Sequence, residues 1–255
     1  MEVEKEIRFF DQFEAEHGDY DVLAEDSYRR ILDILASRLH PSVGSRCVDL
    51  GCGTGAFTRR LRTFGLDVTG VDISPRSIER ARALGGAEYV VGDICNCPLP
   101  SAGFDMAVMS GVLHHLPVAE ARLHSLGEAF RLLKPGGRFF SYDPNGRSPS
   151  MFLYRDPRSP FSSKAGKTEN EILLVKRHLY SELAAAGFRD LRVTGLSGIA
   201  YRYVEGRLAR RLLPLYNRVY EKVMQLPLLE DFLGTFLIAT ATKPSLPGGA
   251  GPTAP

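Results

Sequence analysis

Between Arg46 and Asp143 the apolar residues change period repeatedly, from the short apolar runs of buried strands to the 3.6-residue spacing of helices. This alternation constrains the fold more tightly than anything else in the chain. Arg46–Leu50 reads as a strand, residues 56–64 as a helix with Ala56, Phe57, Leu61 and Phe64 on one side, and Asp67–Asp72 as a second strand. Ser74 followed by Pro75 is an N-cap with proline at the first helical position, which opens a helix over 75–84. Ala87–Gly92 and Phe104–Ser110 read as the third and fourth strands. Leu123, Leu126, Phe130 and Leu133 step by three, four and three, which places an amphipathic helix over 118–133. Lys134-Pro135-Gly136-Gly137 is expected to end it before a fifth strand, Arg138–Asp143. Such alternation implies a mostly parallel sheet with helices on both faces. Parallel crossovers are right-handed, so the C-terminal ends of the strands share one rim, and ligands bind there at the topological switch point.

The flanks are less regular. Tyr28, Ile31, Leu32, Leu35 and Leu39 recur at helical spacing, with Asp26 or Ser27 as the expected cap and Pro41 and Gly44 as the stop. Residues 144–177, with Pro144, Pro149, Pro157 and Pro160, show no period and read as a functional loop or lid. A helix over 178–186 ending at Gly187 and a strand at Leu191–Thr194 follow. Residues 199–226 are apolar and basic in turn, and Phe236–Thr242 is the last strand. The expected organisation is one domain over 1–242: a helical cap (1–44), a core (46–143), an insert and helices (144–233) and a closing strand (234–242). A Pro- and Gly-rich disordered tail over 243–255 completes it.

Composition excludes several classes. Hydrophobic content of 44% and charged content of 24% are those of a chain with a real core, not a disordered one. No apolar run approaches the roughly 18 residues that span a bilayer. The stretch Met1-Glu-Val-Glu-Lys-Glu is acidic and does not read as a secretory signal. The basic and acidic side chains, 32 and 30, nearly balance, so the electrostatic footprint of nucleic-acid binding is missing. The basic set is 25 Arg and 7 Lys, an excess that reads as GC-rich codon usage. Cys47, Cys52, Cys95 and Cys97 are too few for a disulfide framework, and a cytoplasmic location is expected.

The segment Val48-Asp-Leu-Gly-Cys-Gly-Thr-Gly55 follows the first strand and opens the first core helix. Glycines there let a ligand approach the backbone closely. A dinucleotide site would show G-x-G-x-x-G and a helix N-terminus facing a pyrophosphate; here the spacing is G-x-G-x-G. Asp49 would repel a phosphate and attract a cation, and no Lys-Ser/Thr follows to make a P-loop. A cofactor with adenosine, no phosphate, an ammonium and a sulfonium meets these constraints. Asp72, at a strand end 21 residues after Gly51, suits two vicinal ribose hydroxyls.

Val48–Gly55 resembles motif I of the class I S-adenosylmethionine-dependent methyltransferases. The resemblance continues through Val71-Asp72-Ile73-Ser74, Gly92-Asp93-Ile94, Phe104-Asp105, Leu113-His114-His115-Leu116 and Leu132-Leu133-Lys134-Pro135-Gly136-Gly137. It implies a Rossmann-like methyltransferase fold: a doubly wound α/β, mostly parallel seven-stranded sheet, with an N-terminal helical cap and inserts over the C-terminal rim. It implies S-adenosylmethionine as cofactor, leaving as S-adenosylhomocysteine. Carried over residue by residue, it implies a cofactor site of Asp49, Gly51, Gly53, Thr54, Gly55, Asp72, Ile73, Asp93, Ile94, Ser110 and Gly111. Asp49 and the glycines would meet the methionine part, Asp72 the ribose, Asp93 and Ile94 the adenine, and Ser110 and Gly111 the reacting centre. Asp105 reads as a structural turn or strand-start residue.

His114 and His115 lie just past the fourth strand, where a histidine can take a proton from an acceptor hydroxyl or amine. They are the candidate catalytic residues. Asp143 and Asn145, after the fifth strand, read as a turn held by the Asn more than as metal ligands. Cys95-x-Cys97 is too tight for zinc spacing, so no metal is expected. Acceptor choice rests on three aromatic additions: Phe9, Phe10, Phe13, Tyr20 and Tyr28; Met151, Phe152, Tyr154 and Phe161; and Tyr201, Tyr203, Tyr216 and Tyr220 with Leu208, Leu212 and Leu213. Converging over one rim, they would cover an apolar small-molecule pocket. Arg202, Arg207, Arg210, Arg211 and Arg218 also permit a membrane or lipid-linked acceptor, a less favoured reading. The Ser110-Gly-Val-Leu sequence lacks the motif of DNA amino-methylating enzymes. The expected activity is methyl transfer to a small, largely apolar metabolite at a hydroxyl oxygen. The alternatives are a cyclase or other non-methylating protein that keeps the cofactor, or methylation of a lipid-linked or macromolecular acceptor.

Overall fold

The computed structural model describes residues 7–8, 12, 23–155, 171–200, 202 and 207–245. Its elements run α1 (Glu25–Leu39), β1 (Arg46–Leu50), α2 (Ala56–Leu61), β2 (Asp67–Asp72), α3 (Pro75–Leu84), β3 (Glu88–Val91) and β4 (Phe104–Ser110). They continue with α4 (Ala119–Leu132), β5 (Leu133–Pro144), α5 (Pro149–Arg155), α6 (Lys176–Ala185), β6 (Arg189–Leu196), α7 (Arg207–Leu215), α8 (Pro227–Leu233) and β7 (Phe236–Thr242). Short 3₁₀ turns follow α2 (Arg62–Phe64) and β4 (Leu113–His115), and a π turn (Tyr216–Tyr220) follows α7.

The seven strands lie in the order β3-β2-β1-β4-β5-β7-β6. β1 to β5 pair in parallel, and β7 runs antiparallel to both β5 and β6. The expected doubly wound, mostly parallel sheet is therefore present. Successive crossovers leave β1 in one direction for β2 and β3 and in the other for β4 and β5, so the switch point falls between β1 and β4. Side chains alternate across the sheet. Ala107, Met109 and Phe139 pack with Leu126, Ala129 and Leu132 of α4 and Leu179 and Leu183 of α6. Met106, Val108 and Phe140 pack on the other face with Ile31, Leu35 and Leu39 of α1. Phe104 and Met106 enter opposite cores although two residues apart, because the β4–β5 register shifts between them.

Local chemistry explains the element boundaries. Ser74 Oγ accepts the Ser77 N–H at 3.1 Å and caps α3, worth about 1 kcal/mol. Gly187, at φ +99°, turns the chain after α6 as expected. Asp105 accepts the Arg46 N–H at 2.9 Å and pairs with Lys134 at 2.7 Å, the structural role expected of it. Asn145 Oδ1 accepts the Arg147 N–H at 3.0 Å, and its Nδ2 donates to Gly234 O at 2.8 Å, so it does hold a turn.

Four expectations need correction. Neither Asp26 nor Ser27 caps α1: Ala24 is the cap residue, and the Ser27 hydroxyl instead exchanges hydrogen bonds with the Ala200 backbone. Lys134-Pro-Gly-Gly does not separate helix from strand. β5 already begins at Leu133, paired with Phe104, and the four residues form an excursion before Arg138 pairs with Met106. The 144–177 insert is not structureless, since α5 lies within it, and residues 156–170 fall outside the described residues. The tail does not begin loose at Lys243, whose Nζ donates to Phe130 O and Leu133 O, both at 2.7 Å. Residues 246–255 lie outside the described residues. No helix among the described residues is long and apolar enough to cross a membrane.

Candidate functional site

The carboxyl ends of β1, β2, β4 and β5 bring the site together. Asp49 on β1 is fully buried. Its Oδ2 accepts from Thr58 Oγ1 of α2 at 2.7 Å, while Oδ1 is buried with no formed hydrogen bond. Withdrawal from water pushes its carboxyl up to about 7; the nearby Asp72 charge adds to the rise, and the Thr58 and Ser110 hydroxyls oppose it. A buried carboxylate with one oxygen unanswered is a site prepared for a cation.

The glycine loop passes beside Asp49. Gly51, Gly53 and Gly55 all have positive φ, +76°, +52° and +79°. A Cβ on Gly51 would lie 2.6 Å from Val112, and one on Gly55 would overlap the Tyr89 hydroxyl. At Gly53 a Cβ would meet nothing within 4 Å. The first and third glycines are thus required by packing, and the middle one fronts open space, as a ligand cradle requires. Thr54 is buried, and its carbonyl accepts from Arg59 at 2.7 Å.

Asp72 ends β2 at the rim, half-buried beside Ile73. Its Oδ2 accepts the Gly53 N–H at 2.8 Å and its Oδ1 the Ser74 N–H at 2.9 Å, which ties the loop to the start of α3. Desolvation raises its carboxyl above the ordinary value; those two N–H groups and His115 work against the rise. Ser110 and Gly111 close β4 next to Asp49 and Tyr142, and the Gly111 N–H donates to Tyr142 O at 2.8 Å. Asp49, the three glycines, Asp72, Ser110 and Gly111 therefore share one rim. Asp93 and Ile94 follow the end of β3 at the same rim, where Val91 pairs with Asp72 and the Gly92 N–H donates to Asp72 O at 2.9 Å. Asp93 is exposed and accepts the Cys95 N–H at 2.8 Å in a turn, and Ile94 packs into the core.

His114 and His115 form the 3₁₀ turn after β4, their rings 4.0 Å apart between centroids. Asp143, fully buried at the end of β5, accepts the His114 backbone N–H at 3.1 Å and lies 3.0 Å from its Nδ1. Burial drives the Asp143 carboxyl well above its usual range, against the backbone N–H groups of Val112, Leu113 and His114. Three residues that sequence reasoning missed complete the site: Thr58, Tyr89 beneath Gly55, and Glu171, whose carboxylate closes on the two histidines. Glu171 lies in the stretch without period, where no sequence signal marks it. Of the expected aromatic additions, Ser150 of α5 donates its N–H to Tyr220 Oη at 3.2 Å, which joins the second to the third. Phe9, Phe10, Phe13, Tyr20, Phe161, Tyr201 and Tyr203, and the side chains of Tyr154 and Leu208, lie outside the described residues.

Fold and cradle together define the class. A family model described as a methyltransferase domain matches residues 48–141. An uncharacterised methyltransferase of Synechocystis sp. is 32% identical over 167 residues, 65% of this chain and 77% of that protein. The 27-O-demethylrifamycin SV methyltransferase of Amycolatopsis mediterranei is 35% identical over 48% of this chain and 48% of its own. A solved S-adenosylmethionine-dependent methyltransferase of Thermotoga maritima, described as a possible histamine N-methyltransferase, superposes at TM-score 0.64 with 21% identity, covering 94% of this chain and 99% of that one. The first curated relatives are matched over about half their length. The chain belongs to the S-adenosylmethionine-dependent methyltransferase family.

Proposed function

We propose that the protein transfers a methyl group from S-adenosylmethionine to a small, largely apolar metabolite, at a hydroxyl oxygen, in the cytoplasm. The observation that carries the cofactor half is the buried Asp49 Oδ1 without a formed hydrogen bond, at the base of a loop whose Gly53 fronts open space. Asp49 would hold the cationic amino-acid part, with Thr54 and Gly55 fixing the loop. Asp72 and Ile73 would hold the ribose, Asp93 and Ile94 the adenine edge, and Ser110 and Gly111 would flank the reacting end. When bound, S-adenosylmethionine supplies an electrophilic sulfonium methyl. The chain's own task is then to orient the acceptor and exclude water, a proximity effect of several kcal/mol. The test is transfer of labelled methyl from the cofactor into a host extract. Label in an O-methylated apolar product is expected; label in RNA or protein alone, or cofactor binding without transfer, would reject the reading in favour of a macromolecular acceptor or a cyclase.

The raised Asp49 pKa makes binding pH-dependent. Its folded value of about 7 exceeds the ordinary 3.8, so its contribution to the ligand-free fold is full below about pH 4 and is lost as pH rises through 7. A bound ammonium selects the ionised form, so affinity for S-adenosylhomocysteine moves the opposite way. It should be about 30-fold weaker at pH 5.5 than at pH 8. Calorimetry across that range checks this, and Asp49→Asn should flatten the profile; a flat wild-type profile would remove the cation role.

The acceptor would meet His115, the more open of the two rings, which packs against His114, itself bonded to Asp143. Replacing His115 with Ala should lower turnover by about 100-fold while S-adenosylhomocysteine affinity stays within a few-fold. His114→Ala should give a similar drop through lost positioning. Unchanged turnover in both variants would take the pair out of the reaction.

A lipid-borne acceptor is the second reading, and one observation favours it. Leu212, Leu215, Val219 and Val223 are exposed at helical spacing, followed by Leu226, Leu228 and Phe232. Exposed Arg207, Arg210, Arg211, Arg218 and Lys222 flank them; of the acids up to Phe232, Glu221 is buried, and Glu230 and Asp231 are paired with Arg30 and Lys176. Apolar stripe plus cationic flank fits an anionic bilayer surface, and the repeated positive charge opposes self-association through this face. Salt-sensitive sedimentation with phosphatidylglycerol vesicles, and none with phosphatidylcholine, is expected on this reading. No sedimentation with either, or equal sedimentation of an Arg211→Glu/Arg218→Glu variant, would leave the soluble acceptor alone.

A further inference from the structure

Beside the acidic cradle the rim carries a cluster of a different character. His114 and His115 are consecutive on the turn after β4, and Glu171 reaches them from the insert. One ligand atom from each lies within 4.8 Å of the other two. The approach is built into the backbone: the Ile172 N–H, next to Glu171, donates to His114 O at 2.9 Å. Behind His114 stands Asp143, fully buried, 3.0 Å from Nδ1 and holding the His114 backbone N–H as well. That contact engages Nδ1, so Nε2 is the ring nitrogen through which His114 would take a metal. A carboxylate behind a histidine is the outer-shell arrangement that orients metal-binding imidazoles.

We propose that His114, His115 and Glu171 form a binding site for a divalent transition-metal ion. Two imidazoles and one carboxylate suit zinc, cobalt, manganese or iron, whereas magnesium and calcium take oxygen donors. Ligands about 2.1 Å from a tetrahedral ion sit about 3.4 Å apart, so the side chains need draw in by no more than about 1.4 Å, within reach of χ rotation. Three protein donors leave a coordination position open, the pattern of catalytic rather than structural sites. The catalytic consequence rests on the methyl-transfer reading: an acceptor hydroxyl at the open position would lose its proton to solvent more readily, and His115 would act as a ligand. Binding itself does not rest on that reading.

The test uses the full chain, stripped with a chelator and desalted, then titrated with cobalt(II) and zinc(II) without cofactor or acceptor. One ion per chain is expected, with cobalt absorption typical of nitrogen and oxygen donors. Glu171→Gln and His115→Asn should each weaken binding by about 30-fold or more, with the metal-free melting temperature held. Cys95→Ser/Cys97→Ser should bind as wild type. The proposal is overturned by equal binding in the Glu171 and His115 variants, by a sulfur-to-cobalt band lost with the cysteines, or by no saturable binding below about 1 mM. S-adenosylhomocysteine affinity, measured separately on Glu171→Gln, reports on the cofactor site and distinguishes failure there from failure here.

Discussion

Replacing Asp72 with Ala is expected to weaken S-adenosylhomocysteine binding by at least about 100-fold, or about 2.7 kcal/mol. Two effects add. Hydrogen bonds to an ionised carboxylate contribute about 1.5–3 kcal/mol each, and the ribose hydroxyls would lose theirs. Asp72 also accepts the N–H groups of Gly53 and Ser74, so its loss frees the glycine loop from the start of α3. Asp72→Asn retains one acceptor oxygen and should fall between. Titration calorimetry and thermal melting on the same samples separate the two effects. A loss under about fivefold in the Ala variant, with the fold intact, would show that the ribose is held elsewhere.

The second large effect is on stability. Arg122 of α4 and Glu182 of α6 form a buried pair, Nη2 to Oε1 at 2.6 Å, with side-chain exposures of 8% and 9%. Arg122 also donates to Leu116 O at 2.7 Å and Pro117 O at 3.1 Å, just after the histidine turn. Removing one partner leaves the other charge buried and uncompensated, a loss of about 3–5 kcal/mol. Glu182→Ala should therefore lower the melting temperature by roughly 10 °C. Arg122→Met/Glu182→Leu together should cost less than either single change. A drop of only a degree or two in Glu182→Ala would show that water reaches the pair.

The strands and helices with an uninterrupted period are the ones legible in the sequence. β1, β2, β4, β7 and α3 lie at their expected bounds, because short apolar runs bounded by polar residues or glycine, or a Ser-Pro start, leave little competition. Reading failed where a distant partner outweighed a local signal. Ser27 has the chemistry of a cap, but Ala200 takes its hydroxyl. Lys134-Pro-Gly-Gly has the chemistry of a break, yet Asp105 binds Lys134 and the ladder resumes beyond. In the candidate site the glycines, Asp49 and Asp72 were visible because motif and strand end coincide. The roles of Thr58, Asp143 and Glu171 are set by the sheet order and the insert's path, which bring together residues distant in the chain.

The placement of β7 also sets an order of events during synthesis. Residues 236–242 lie between β5 and the edge strand β6, so β6 cannot join the sheet and β5 keeps a bare edge until the chain has been made past residue 242. Until then β5 presents an unpaired edge that carries the apolar side chains of Phe140 and Tyr142. An emerging chain with such an edge is exposed to pairing with its neighbours. The nascent protein therefore passes through a window of vulnerability that closes when β7 docks, and a chaperone's protection matters most in that window.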